Sequence, residues 1–305
     1  MGDGAAPARR GVLGVGIATL DIVNEVQAYP AEDEEVRALR QDRRIGGNVT
    51  NTLGVLSALG HPCAWCGALA DDRESAEVLA GLRQRGIDTS ARVVHPSSRT
   101  PTSYITLSRA TGSRTIVHHR ELAELRAADF RRVALDAFSW IHFEGRSPEE
   151  TAAMLRDCRR RRPGVPLSLE IEKPRPGIRR LFRGPRVIVF SRAFALACGF
   201  RDPEAFLAAQ WEETSAELLF LPWGAEGAFG QCRGQGVCCA PPLVPPQVRD
   251  TIGAGDVFNA GVIDGLLCGL GLPEVLARAT RLAGHKCGRR GLGGLVESAR
   301  ESGLL

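Results

Sequence analysis

The 305-residue chain is short of the features that mark specialised protein classes. It has no window of ~18 uninterrupted apolar residues, the length of a membrane span. The longest candidate, residues 257–270, carries Asn259 and Asp264, so no membrane partner is expected. Met1-Gly2-Asp3-Gly4 is polar, whereas a secretory leader has a basic stretch followed by an apolar core. Ala6 stands where acylation of Gly2 needs Ser or Thr. Excess charge of one sign is also missing: the net charge is +4 and the arginines are spread along the chain. The one dense basic run, Arg159 to Arg162, ends an amphipathic segment and reads as a solvated helix end. No nucleic-acid partner is inferred from it. Nine cysteines, an odd number without framework spacing, argue against a disulfide scaffold and suit a reducing cytoplasm. There is no internal repeat and no low-complexity tract. Pro241 to Pro246 is dense in proline but short, a stiff loop rather than a linker.

What remains is an ordinary globular composition, 44% hydrophobic and 24% charged, with an informative order. Residues 1–10 read as a disordered tail. Val12 to Ile17 is a compact apolar run, a buried strand. Ile22 to Ile45 alternates in short stretches around Tyr29-Pro30 and suits half-exposed strands. Asn51 to Leu59 is helical up to Gly60, Cys63 to Leu69 a strand, and Glu74 to Arg85 a helix ended by Gly86. Short strands follow at Ala91–Val94, Thr102–Ser108 and Thr115–His118. From Ser139 onward strands (Trp140–Phe143, Leu167–Ile171, Val187–Phe190, Leu218–Leu221) alternate with helices such as Glu149–Arg160 and Glu204–Trp211. That alternation implies an α/β fold whose mostly parallel sheet is covered on both faces. We expect one domain over 11–295, with a small sheet standing off it from segments 22–46 and 91–120.

The most informative segment is Asp250-Thr251-Ile252-Gly253-Ala254-Gly255-Asp256, ahead of the apolar helix from Val257 to Leu270. A helix N-terminus offers unpaired N–H groups and positive potential, hence an anion site. Gly253 and Gly255 let the backbone approach a ligand and adopt positive φ. A carboxylate beside bound phosphate repels it unless it does chemistry. Asp256 is therefore a candidate general base for a hydroxyl attacking a phosphoryl group. Read alone, Gly-x-Gly-Asp is more often a plain helix start.

A second cluster is Gly46-Gly47-Asn48-Val49-Thr50-Asn51. Gly-Gly bends into a helix that Asn48 can cap, and Asn51 follows one turn later on the same face. The cluster reads equally as a capped helix or as two amides presented to a polyol. Asp21, placed at the end of the first strand, lies where open α/β sheets bind ligands. It is either a loop carboxylate or a partner for vicinal hydroxyls.

The seven-residue segment matches Asp-Thr-x-Gly-Ala-Gly-Asp at every fixed position and resembles the second signature of the ribokinase/PfkB family of carbohydrate kinases. Gly46 to Asn51 resembles the first, Gly-Gly-x-x-x-Asn. Further blocks resemble the ketohexokinase branch: Tyr29 to Arg37, Gly112 to Val117, Trp140 to Arg146, Glu170 to Arg175, and Gly284 to Gly288. They run in order over about residues 12–295.

The resemblance implies a ribokinase-like three-layer sandwich with a small β-sheet lid, using ATP and Mg2+ to phosphorylate D-fructose at O1. Asp256 would be the base and the Gly253, Ala254 and Gly255 N–H groups an anion hole. Asp21, Gly46, Gly47, Asn48 and Asn51 would hold the sugar, and Arg114 would clamp phosphate or sugar. Two lids would interlock in a homodimer, with Asp33 reaching the partner's sugar. Arg192, Trp223, Gly224, Gly227, Cys287 and Gly288 would line the nucleotide side. Asp250 would either help hold K+ or cap its own turn. Other kinases of the family (ribokinase, 6-fructokinase, nucleoside kinase) and a non-catalytic sensor are the alternatives.

The chain departs from the family at three places. Ser191 and Phe194 occupy the positions of an Asn-x-x-Glu that helps organise magnesium, so no magnesium ligand is assigned. Arg192 replaces a lysine, with different geometry. Ala225 replaces an acidic residue of the ketohexokinase pattern. Rival motifs fail on order or geometry. Cys63 and Cys66, three apart in a strand, point to opposite faces, and His142-Phe143-Glu144 follows them where a zinc deaminase needs the reverse order. Gly14-Val15-Gly16 has Thr19 where a dinucleotide fingerprint needs glycine. Cys232, Cys238 and Cys239 lack partners at zinc spacing.

Overall fold

The computed structural model describes residues 11–305; the expected tail at 1–10 lies outside them. Strand β1 (Gly11–Val15) is followed by β2 (Thr19–Val26), β3 (Arg40–Gly46), helix α1 (Asn48–Leu59), β4 (Cys63–Cys66), β5 (Ala68–Ala70) and α2 (Arg73–Gln84). Next come β6 (Ile87–Asp88), β7 (Val93–His95), β8 (Thr102–Ser108), β9 (Arg114–His119) and the one-turn α3 (Ala127–Phe130). Then β10 (Phe138–Glu144), α4 (Pro148–Arg161), β11 (Leu167–Ile171), β12 (Val187–Phe190), α5 (Arg192–Ala197), α6 (Pro203–Gln210) and β13 (Leu218–Pro222) alternate. The antiparallel strands β14 (Ala228–Cys232) and β15 (Val237–Ala240) precede α7 (Ala254–Leu267), α8 (Leu272–Cys287) and α9 (Leu295–Glu301).

Nine strands form the main sheet in the order β15-β14-β13-β12-β11-β10-β1-β4-β6, parallel from β13 to β6. Its two faces carry separate cores, the layering expected of a sheet buried on both sides. Val49, Leu53, Val257, Val262, Val275 and Leu282 from α1, α7 and α8 pack on one face. Leu155, Phe194, Phe206 and Leu207 from α4, α5 and α6 pack on the other. Cys63 belongs to the first core and Cys66 to the second, so the strand alternation holds, and both thiols are free and buried. After β1 the chain runs to β4 and β6 on one side, then returns to β10 on the other. The β1–β10 boundary is thus the switch point where open α/β sheets bind ligands.

The small sheet has the order β3-β2-β8-β9. Three expectations need correction here. Asp21 does not end the first strand; it is the third residue of β2, inside the small sheet. The strand expected at Ala91–Val94 is β7, which leaves that sheet to pair with β5. The run from Cys63 to Leu69 breaks at Gly67, where a Cβ would meet the Trp65 ring at 2.2 Å and the Gly16 carbonyl at 2.3 Å. The packed chain also continues past 295, since Leu295, Val296 and Ala299 of α9 are buried in the first core. Among the described residues no helix is long and apolar enough to cross a membrane.

Candidate active site

The glycine-rich turn opens α7 three residues earlier than its apolar pattern suggested. Gly253 is the N-cap, with φ 81°, the left-handed region that glycine enters without strain. Ala254 and Gly255 take the first two helical positions and Asp256 the third, so the carboxylate is not the cap. A Cβ on Gly255 would meet nothing within 4 Å, so open space adjoins the turn. The Ala254 N–H donates to the Thr251 carbonyl at a long 3.3 Å. First-turn N–H groups have no acceptor within the helix, which leaves them available to an anion.

Asp256 is buried at 6% exposure, and among the described residues its side chain has one hydrogen-bond donor: Asn51 Nδ2 donates to Oδ2 at 2.8 Å. Packing of α1 against α7 sets that contact, and Thr52 Oγ1 adds a bond to the Asp256 carbonyl at 3.2 Å. Burial pushes the Asp256 carboxyl up to about 8. The Asn51 bond opposes this, and the charges of Glu172, Glu144 and Asp21 add to it.

Asp21 and the double glycine form one steric unit. Thr19 Oγ1 donates to Asp21 Oδ1 at 2.9 Å. A Cβ on Gly46 would lie 2.1 Å from Asp21 Oδ2, so glycine at 46 makes room for the carboxylate. Gly47 has φ 106°, and a Cβ there would strike the Ile17 carbonyl at 2.3 Å. Asn48 does not cap α1. Gly47 is the N-cap, and Asn48 Nδ2 reaches Glu170 Oε2 and Glu172 Oε2, each at 3.2 Å. A cavity of about 520 Å³ is bounded by Asp21, Arg44, Asn51, Arg85, Ile252 and Gly293, among others. The structure thus brings Asp21, Gly46, Gly47, Asn48, Asn51 and the Gly253–Asp256 turn to one place, at the switch point.

Sequence reasoning missed four polar residues here. Glu144 ends β10, Glu170 lies near the end of β11 and Glu172 just beyond it. Glu144 Oε2 accepts the Ile17 N–H at 3.0 Å. Burial raises the Glu144 carboxyl and raises that of Glu170 well above the ordinary range, with Asp256, Glu144 and Glu172 adding repulsion on Glu170. Arg146 bonds Glu124 at 2.9 Å and lies 3.6 Å from Glu144. The only signal for these four was the resemblance of the blocks containing them, which carried no role.

The remaining predicted residues sit around this centre. Arg114 begins β9, and its Nη1 donates to Thr251 Oγ1 at 2.9 Å, tying the small sheet to the signature turn. Arg192 is exposed, lies 5.1 Å over the Trp223 ring, and reaches Glu226 at 3.5 Å and the Trp223 carbonyl at 3.4 Å. Trp223 is 2% exposed and belongs to the second core, and both its backbone groups are bonded within the protein. Gly224 has φ 71° beside the Arg192 guanidinium. Gly227 is glycine because a Cβ would meet the Ala240 carbonyl at 2.1 Å, a strand-packing reason rather than a nucleotide one. Cys287 ends α8, and its carbonyl accepts the Arg249 N–H at 2.8 Å, while Gly288 makes room for Pro245. Asp33 is exposed at φ 65° in the loop between β2 and β3 and is not part of the cluster.

Asp250 is fully buried, and its side chain meets Arg44, Lys286 and two backbone N–H groups. Among the described residues no group of three or more His, Cys, Asp or Glu side chains is arranged to hold a metal.

A buried carboxylate in the first turn of a helix, beside a polar cavity at the switch point, is an arrangement that a small-molecule phosphotransferase could use. The pattern described as pfkB family carbohydrate kinase matches residues 10–299. The chain belongs to that family. Ketohexokinase from Mus musculus is 37% identical over 293 residues, covering 93% of this chain and 98% of its own. A putative ribokinase from Agrobacterium tumefaciens superposes with a TM-score of 0.81 at 22% identity, over 96% of this chain and 98% of its own. Ribokinase from Cryptococcus neoformans var. grubii serotype A, solved with ADP, gives 0.78 at 19% identity, over 96% and 99%. These structures share the ribokinase-like fold. As a member of the pfkB family, the protein is a ketohexokinase-like carbohydrate kinase.

Proposed function

We propose that the protein transfers the γ-phosphoryl group of ATP to O1 of a ketohexose, converting D-fructose to fructose 1-phosphate. The observation that carries this is Asp256, buried in the first turn of α7 between the anion turn and the Asp21–Asn51 cavity. The extent of identity with mouse ketohexokinase supports a ketohexose, and the resemblance of the sequence blocks implies fructose and O1.

Asp21, Asn48 and Asn51 hold the sugar hydroxyls, with Gly46 making room for the Asp21 carboxylate and Gly47 turning the chain into α1. Ionised Asp256 takes the O1 proton as O1 attacks the γ-phosphorus in line. The bond from that phosphorus to ADP breaks, and ADP leaves with its electron pair. Gly253 and Gly255 N–H groups, joined by that of Ala254 once it leaves its long bond to Thr251, meet the charge on the transferring group. Arg192, Gly224, Cys287 and Gly288 mark the nucleotide edge. Arg114 reaches the phosphates from the lid, which is the small sheet. Two lids interlock in a homodimer, and this brings Asp33 to the partner's sugar.

Mg2+ fits the donor set, because it takes one or two carboxylates and leaves its other positions to phosphate and water. Glu170 and Glu172 converge on one amide, and Glu170 makes no ion pair among the described residues, so these two would hold it. When bound, it neutralises charge on the phosphates.

One observation favours a second reading of the substrate. Arg85 Nη1 is buried without a hydrogen-bond partner among the described residues, at the wall of the same cavity. A sugar acid or sugar phosphate would supply the missing anion. An ADP-release screen with fructose, tagatose, ribose, adenosine, fructose phosphates and a keto-sugar acid separates the readings. Fructose turnover with the product phosphorylated at O1 is expected. Product at O6, or turnover confined to an anionic sugar, overturns the proposal.

A further inference from the structure

The family resemblance attaches a monovalent cation to Asp250, and the residues present do not fit one. We propose that Lys286 and Arg44 take the place of that ion behind the anion turn, so that the kinase works without potassium. An ionised carboxylate offers about four lone-pair positions. At Asp250 all four are taken by the protein. Oδ1 accepts the Ile252 N–H at 2.9 Å and faces Lys286 Nζ at 3.3 Å. Oδ2 accepts Arg44 Nη1 at 2.7 Å and the Gly291 N–H at 2.9 Å. The Asp250 carbonyl, the other natural ligand for such an ion, accepts Lys286 Nζ at 2.6 Å.

Charge is closed as well as geometry. Arg44 also bonds Asp42 Oδ2 at 3.0 Å, and Asp42 meets Arg40 at 2.7 Å, so the two carboxylates Asp42 and Asp250 face three cations, Arg40, Arg44 and Lys286. A further cation would enter a site with no net negative charge left to offset its desolvation. Lys286 and Asp250 side chains are both at 0% exposure, which leaves no water-filled place for an ion beside them.

Lys286 and Lys173 are the only lysines of the chain. An ammonium is a compact point charge, closer to an alkali ion than the planar guanidinium used elsewhere. It stands in the last turn of α8, where the helix dipole favours a cation. The same contacts hold the turn. Lys286 fixes the Asp250 carbonyl, and the Asp250 side chain fixes the Ile252 N–H, one residue before Gly253. Lys286 and Arg44 are therefore positioning residues for the anion turn.

The test has an activity arm and a binding arm; the first rests on the kinase reading and the second does not. Turnover is measured at matched ionic strength in potassium, sodium and tetramethylammonium chloride. Rates within about twofold are expected, and a potassium stimulation of fivefold or more overturns the proposal. In the binding arm, thermal unfolding of the nucleotide-free protein is followed in the same salts. Potassium is expected to shift Tm no more than tetramethylammonium does. A saturable potassium-specific rise overturns the proposal even if no substrate is ever found.

Lys286→Met opens the place of the ammonium. Its activity is expected to become dependent on potassium or ammonium ions. A variant as active as the parent in tetramethylammonium overturns the role of Lys286. If the variant does not fold, the two wild-type arms still stand.

Discussion

Asp250 and Asp256 bracket one turn, six residues apart, and their surroundings are opposite in nearly every respect. Both are buried. Burial pushes the Asp250 carboxyl up, but Lys286, the Gly291 and Ile252 N–H groups and Arg44 outweigh it and hold it below the usual range. Asp256 has one amide donor and faces other carboxylates, and it is driven up to about 8. A carboxylate with all its lone pairs engaged can hold a backbone in place but cannot accept a proton. One with most of its lone pairs open can. The contrast separates the part of the signature that builds the turn from the part proposed to react.

The sharpest break in this contrast is Asp256→Asn. Loss of a general base is worth ~10²–10⁴ in rate, so kcat is expected to fall by that factor while fructose and ATP still bind. Near-normal kcat would remove the mechanism. Asp250→Asn is expected to act on folding instead. It leaves Lys286 buried without its counter-ion, a loss of about 3–5 kcal/mol in urea unfolding. A variant of parental stability with a selective loss of kcat would reverse the roles assigned to the two residues.

The pH dependence sharpens the same point. Below about pH 8 Asp256 is protonated in the free enzyme, so kcat/KM is expected to rise roughly tenfold per pH unit up to that region and then level off. The stability sign follows from the raised value. The contribution of Asp256 is present below the unfolded value of 3.8 and is lost as pH rises toward about 8. Asp256→Asn should therefore match its parent near pH 4 and exceed it in urea midpoint at pH 8.5. The smallest effect belongs to exposed Arg192. Arg192→Ala is expected to raise the KM for ATP by roughly three- to tenfold, the worth of one modest hydrogen bond, with kcat little changed.

The helix start at the signature was legible because its residues are contiguous. Gly253 to Asp256 needs only one helix start to become an anion turn with a carboxylate. The α7 boundary was read late because glycine and alanine carry no apolar period, and Val257 was the first residue to show one. Two strands were read to the residue: Leu167–Ile171, where apolar and polar residues alternate, and Val187–Phe190, an apolar run between Arg186 and Ser191. The supporting half was not legible. Arg44 meets Asp250 across 206 positions and Lys286 across 36. Glu144 and Glu170 converge with Asp256 only because β10 and β11 end together at the switch point. No local pattern marks a convergence set by strand order. The misplacement of Asp21 has the same origin, since an apolar run does not reveal that the chain leaves one sheet for another at Gly16.

The position of Cys63 and Cys66 has an experimental consequence. The two thiols are three residues apart, yet each is sealed beneath a different helical layer, and burial pushes both up to about 12. Neither reacts appreciably as a thiolate until its own layer opens. Their alkylation rates are therefore two built-in clocks, one for each face of the sheet. Equal rates would mean that the layers detach together. Unequal rates would show which layer breathes first, and whether sugar or nucleotide slows it.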